Sequence, residues 1–186
     1  MQTLISNDQA TGSEQVGVPS ELLPALRSDH AGETGAVCIY RGIRAVTRDP
    51  QIAAFAREHQ ATEQKHLEIM EQLVPQTQRS RLLPVWRLAG WVTGALPALF
   101  GAQAVYRTID AVESFVDLHY SEQIDYLAGQ EQYQDLRIIL QKCRDDELVH
   151  RDEARDRLPP PGVTGQVWTT LVSAGSRVGV FIASRV

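Results

Sequence analysis

The chain has 186 residues, 43% of them hydrophobic and 22% charged, which suits one globular domain with a sizeable core. Its formal charge of −5 argues against general binding of a phosphate backbone, which wants a basic stripe, so no nucleic acid is expected as a partner. Two cysteines, Cys38 and Cys143, neither in a C-x-x-C pair, exclude a disulfide framework and a thiolate metal site and favour a reducing compartment.

The opening stretch, MQTLISNDQATGSEQVGVPS, has no Lys or Arg and carries Asp8 and Glu14. It reads as neither a secretory signal nor an Arg-rich transit peptide, and as a full precursor it is not expected to be imported. Its polar, Gly/Ser/Thr-rich composition predicts a flexible tail over 1–18 before a domain over 19–186.

A first helix is expected from Pro19-Ser20 to about Arg48, carrying Glu33 within DHAGETGA. Asp49-Pro50 ends it, and Pro50 fits the first turn of a second helix running to about Val74. On that helix Ile52, Phe55 or Ala56, His59, Glu63, His66 and Met70 recur at steps of three and four, giving one inward stripe.

Within the connection over 76–100, the stretch LLPVWRLAGWVTGALPALF from Leu82 onward is apolar apart from Arg87, with Trp86 and Trp91 close together and Pro84 and Pro97 interrupting it. A membrane span takes about 20 uninterrupted apolar residues, so a broken hairpin is expected, lying in the membrane interface or capping the bundle. A third helix follows from about Gly101 to Gly129, with Tyr106, Glu113 and Tyr120 a heptad apart. The fourth places Leu136, Leu140, Cys143, Glu147, His150 and Ala154 on one face and stops before Pro159-Pro160-Pro161. Residues 163–186 form a second apolar helix, either packed on the core or touching the membrane, with Arg177 and Arg185 as snorkelling cations.

One feature cuts across these elements. Glu63-Gln-Lys-His66 and Glu147-Leu-Val-His150 repeat a Glu-x-x-His signature, each preceded by a lone Glu, Glu33 or Glu113. Three residues apart on a helix, Glu and His share one face, and here that face is apolar, where an unpaired carboxylate is costly. Four helices offering Glu, Glu-x-x-His, Glu and Glu-x-x-His form the ligand set of a carboxylate-bridged di-metal bundle, an all-α four-helix architecture. His59 falls outside the repeat and reads as a core histidine or one supporting a ligand; Asp29 reads as orienting a ligand histidine or capping structure. His119 and Tyr120 are candidates to meet substrate or relay a proton, with Tyr106 in line behind them. Asp146 faces away from the ligands, to hydrogen-bond or meet solvent, and Glu153 reads as surface charge.

RSDHAGETGAVCIYRG, EQKHLEIM, AVESFVDLHYSEQIDYL, RDDELVHRDEA and SAGSRVGVFIASRV together resemble the demethoxyubiquinone hydroxylase family, over nearly the whole chain from about Leu26. The resemblance implies a ferritin-like bundle holding two Fe ions, peripheral to the cytoplasmic face of a bacterial inner membrane. It also implies hydroxylation of the ring of a polyprenylated demethoxyquinol with O2 in ubiquinone biosynthesis. The family's metal ligands fall on Glu33, Glu63, His66, Glu113, Glu147 and His150, all intact. Glu63 and Glu147 are expected to bridge, with Glu33 and Glu113 terminal. Thr34 departs from the aromatic residue common after that first Glu. No Rossmann-type G-x-G-x-x-G precedes a helix, so NADH, the candidate external reductant, is not held by that fold. Other ubiquinone-biosynthesis proteins or a lipid-presenting partner are further candidate contacts. A di-metal ferroxidase or peroxide-scavenging bundle is the alternative, and a non-enzymatic lipid-binding helical domain a third reading.

Overall fold

The computed structural model describes residues 16–186, so most of the expected tail over 1–18 lies outside the described residues. Among them are six α-helices and no strand: α1 (Leu23–Val46), α2 (Pro50–Leu73), α3 (Leu83–Ala98), α4 (Ala102–Tyr126), α5 (Gln134–Asp156) and α6 (Val163–Ala183). The ends follow local chemistry. Asp49 accepts a hydrogen bond from the Gln51 amide at 2.8 Å and caps α2, with Pro50 in the first turn, where its missing N–H is no loss. Gly101, at φ 94°, adopts a left-handed conformation that a side chain would resist and turns the chain from α3 into α4.

The expected broken hairpin over 76–100 is instead a short 3-10 turn, Gln76–Gln78, and one continuous helix, α3. Pro84 falls in its first turn, where its missing N–H is no loss, and Pro97 removes only a bond of the last turn, so the helix continues to Ala98. In the same way α1 opens at Leu23, after a turn at Ser20–Leu22, with Pro24 in its first turn.

α1 packs on α2 and α4 on α5, with α3 laid along α1 and α6 across α4 and α1. The α1–α3 contact is backbone on backbone. A Cβ on Gly90 would collide with Gly35, and one on Gly94 with the carbonyl of Ile39, so both positions must be glycine for the helices to lie this close. Trp168 on α6 donates to Thr108 Oγ1 on α4 at 2.8 Å, fixing the last helix to the bundle.

Every bundle helix alternates along its buried face. One apolar cluster gathers Tyr40, Ile43, Ile52, Phe55, Tyr106, Ile109 and Ala154; another gathers Leu26, Met70, Tyr120, Ile124, Leu136 and Leu140. Between them, at mid-length of all four helices, stand Glu33, His59, Glu63, His66, Glu113, Glu147 and His150, every one buried. Two apolar layers thus enclose a polar one. None of the described helices is long and apolar enough to cross a membrane.

Candidate metal centre

The buried face forecast for the fourth bundle helix is that of α5 residue by residue, and the one forecast for the second is that of α2, where both Phe55 and Ala56 are buried and Leu73 joins them. Their Glu-x-x-His pairs meet at the centre. Glu33, Glu63, His66 and Glu147 form one group whose candidate ligand atoms all lie within 4.8 Å of one another; Glu63, Glu113, Glu147 and His150 form a second. Glu63 and Glu147 belong to both.

The polar atoms here are badly matched as a hydrogen-bond network. His150 Nδ1 comes within 3.0 Å of Glu63 Oε1 and 3.1 Å of Glu147 Oε2, yet it makes no hydrogen bond, nor does either oxygen of Glu63. Buried polar atoms without partners are costly. Four carboxylates and two imidazoles converging on common points fit a pair of divalent cations, and the oxygen-rich set with two nitrogens suits Fe(II).

Electrostatics point the same way. Burial, then the neighbouring carboxylates, pushes Glu63 and Glu113 well above the ordinary carboxylate value; burial is also the main force lifting Glu33 to about 7. Burial resists ionisation of Glu147 too, but contacts from His150 and His66 outweigh it and draw the group down to about 2. His66, opposed by burial, is carried up to about 10 by its 2.8 Å contact with Glu147 and by the carboxylates around it. Four carboxylates outnumber two histidines, so the site ionises fully only when further positive charge is supplied.

Flanking residues fix the ligands. His66 Nδ1 faces the cluster while Nε2 lies 3.1 Å from Asp146 Oδ2, which sets the ring's orientation. Tyr120 donates to Glu33 Oε1 at 2.6 Å, and Tyr40 to Glu113 Oε1 at 3.4 Å. His59 packs edge-on against His150, ring centroids 4.1 Å apart, and pairs with Glu153 at 3.1 Å.

A cavity of about 400 Å³ opens between α1, α3, α4 and α6 and ends on Glu33, Glu63, Glu113 and Glu147. Its walls are apolar, with Ile39, Trp86, Val112, Phe115, Leu171 and Val172 among them. His119 and Tyr120 line it. His119 Nε2 lies 2.9 Å from Asp29 and 3.0 Å from Ser28 Oγ.

Residues 20–183 match the family described as ubiquinone biosynthesis protein COQ7. The chain belongs to this family. It is 33% identical over 165 residues to the NADPH-dependent 3-demethoxyubiquinone 3-hydroxylase of human mitochondria, covering 86% of this chain and 76% of that protein. To the 3-demethoxyubiquinol 3-hydroxylase of Rhodospirillum rubrum it is 34% identical over 164 residues, covering 87% and 76%. The mitochondrial NADPH-dependent enzyme of Caenorhabditis elegans is 31% identical over 170 residues, covering 87% of this chain and 88% of that one.

Within this COQ7-family chain the six expected ligand residues come together, and His119 and Tyr120 reach the cavity that meets them. Tyr106 does not: it packs on Phe55, 5.1 Å between centroids, under Arg157, at the far end of the bundle. His59 supports His150 from behind and is absent from the cavity wall. Asp29 orients His119 rather than one of the six, and Glu153 is the partner of His59 rather than free surface charge. Tyr40 went unrecognised, although it follows Glu33 by seven residues as Tyr120 follows Glu113.

Proposed function

We propose that this chain hydroxylates the ring of a polyprenylated demethoxyquinol with O2 in ubiquinone biosynthesis, through one ferritin-like di-iron domain over residues 19–186. The observation that carries the reading is the apolar cavity ending on the four carboxylates. A ferroxidase or peroxide scavenger has no use for such a passage; a quinol ring on an apolar tail has.

Glu33 with His66, and Glu113 with His150, would each hold one iron, with Glu63 and Glu147 shared between them. The pair of irons supplies the redox chemistry that activates O2. The chain's own part is positioning and protection. The cavity walls exclude water, a planar ring fits against Ile39 and Val112, and a prenyl tail leaves between α3 and α6. His119, set by Asp29, stands where it can accept or return the proton of a ring hydroxyl.

α3 and α6 also carry the exposed apolar residues Val85, Leu88, Leu96, Val167, Leu171 and Phe181. A patch of this kind, beside the cavity's opening, is suited to lie on the cytoplasmic face of an inner membrane and receive the tail from lipid. Electrons come from an external donor, a pyridine nucleotide being the class that the human relative's name indicates.

The test is turnover. Protein loaded anaerobically with Fe(II) is mixed with O2, a reductant and a short-chain demethoxyquinol. A product heavier by one oxygen is expected; iron oxidation without product, whatever the reductant offered, would overturn the reading in favour of a ferroxidase.

A further inference from the structure

A second cavity, of about 860 Å³, lies on another face of α1, against α2 and the segment leading into α3, and its character is the reverse of the first. In a chain of formal charge −5, its walls carry four arginines, Arg41, Arg79, Arg81 and Arg87, against one carboxylate, Glu71. Arg79 is engaged, donating to the carbonyls of Glu71 at 2.6 Å and Val74 at 3.1 Å. Arg41, Arg81 and Arg87 have no hydrogen-bond or ion-pair partner among the described residues. Beneath them sits His30, only 1% exposed, and neither of its ring nitrogens makes a hydrogen bond.

A buried imidazole with no partner is expensive unless something polar meets it from the cavity it lines. Burial, with Arg79 and Arg87 nearby, lowers the pKa of His30 and so favours the neutral ring, which still has one N–H to donate. Several guanidiniums on one cavity repel metal ions and are wasted on apolar ligands, whereas their planar forks match phosphate oxygens. The cavity is larger than one phosphate needs. We propose that it is an anion site, separate from the metal centre, that takes a phosphate group carried on a larger molecule. A soluble phosphate ester and a phospholipid headgroup present the same chemistry, and Arg87 stands on α3 beside the exposed Val85 and Leu88, within reach of either.

Iron-loaded full-length protein, Arg81→Gln/Arg87→Gln and His30→Gln are titrated with inorganic phosphate and with NADPH by calorimetry, and sedimented with vesicles of phosphatidylglycerol or of phosphatidylcholine alone. Iron content and helical content are measured alongside. Affinity at least tenfold weaker in both variants is expected in one arm: the soluble arm assigns a phosphate ester, the phosphatidylglycerol arm a headgroup. His30→Gln leaves surface charge unchanged, so its loss separates a built site from general attraction. Should His30→Gln fail to fold, the arginine pair decides alone, through saturable phosphate or NADPH binding that the pair loses. Binding equal in all folded proteins, or absent from every arm, overturns the proposal.

Discussion

Tyr120 on α4 donates a 2.6 Å hydrogen bond to Glu33 on α1. Its counterpart runs the other way, Tyr40 on α1 to Glu113 on α4 at 3.4 Å, so each helix braces a buried carboxylate of the other. Removing the shorter bond leaves a buried carboxylate oxygen unmet, a cost of about 1–3 kcal/mol. Tyr120→Phe is therefore expected to weaken iron binding roughly 10–100-fold, and Tyr40→Phe by less, measured by competition with a chelator. Equal effects from the two would show that the bond lengths do not matter.

Asp146 tests the same idea on an imidazole. Asp146→Asn changes no ligand but loosens the ring of His66, so a loss of about tenfold in iron affinity is expected with folding intact. Glu147→Ala, which removes a group common to both ligand sets, should abolish stoichiometric iron binding. If Asp146→Asn binds iron as the parent does, the orientation of His66 does not depend on Asp146.

Metal removal should expose a pH dependence. Glu33, raised to about 7, and Glu63 and Glu113, held well above the ordinary carboxylate value by burial, would titrate near 4.5 once unfolded, so their ionisation destabilises the metal-free fold as pH rises above 4.5. His66, raised to about 10, contributes stability that is complete below 6.5 and lost as pH climbs to about 10. Both effects have one sign. Glu147, depressed to about 2, acts oppositely, removing stability as pH falls from 4.5. Thermal unfolding of metal-free protein should give its highest Tm near about pH 5 and a steady fall toward about pH 8, while bound iron replaces the protons and flattens the curve. A metal-free Tm that rises over that interval contradicts the assignment of buried, protonated carboxylates.

The cavity and the packing that makes it can be separated with glycines. At Gly175 on the cavity wall an added Cβ meets nothing within 4 Å, so Gly175→Phe should fill the cavity, leaving iron loading unchanged and hydroxylation lost. Gly94→Ala drives a methyl into the Ile39 carbonyl and should destabilise by roughly 1–3 kcal/mol in denaturant unfolding. Gly175→Ala is the control and should cost nothing.

Much of this was legible in the sequence because ligands and core obey one helical period. The stripes through Glu63–His66 and Glu147–His150 were readable since these buried carboxylates and imidazoles occupy positions that apolar residues otherwise hold. Proline was the weak guide: Pro84 and Pro97 suggest a break, whereas Pro84 sits in the first turn, where its missing N–H is no loss, and Pro97 falls so near the end that only one bond of the last turn is given up. Tyr106 shares a line with Glu113 and Tyr120, but a line along a helix does not say which end the cavity occupies. That is set by α3, held against α1 at Gly90 and Gly94, and by α6, fixed to α4 through Trp168 and Thr108. His30 reads in the sequence only as a neighbour of Glu33, because it lines neither the metal centre nor the apolar cavity, and it is the fold that gathers Arg79, Arg81 and Arg87 from the α2–α3 segment and α3 about the same cavity as Arg41 of α1.

The most direct measurement is a crystal structure of the Fe(II)-loaded protein with anomalous data at the iron edge. Two adjacent peaks are expected, one enclosed by Glu33, Glu63, His66 and Glu147 and the other by Glu63, Glu113, Glu147 and His150. A single peak, or iron bound elsewhere with these six side chains unligated, would contradict the account.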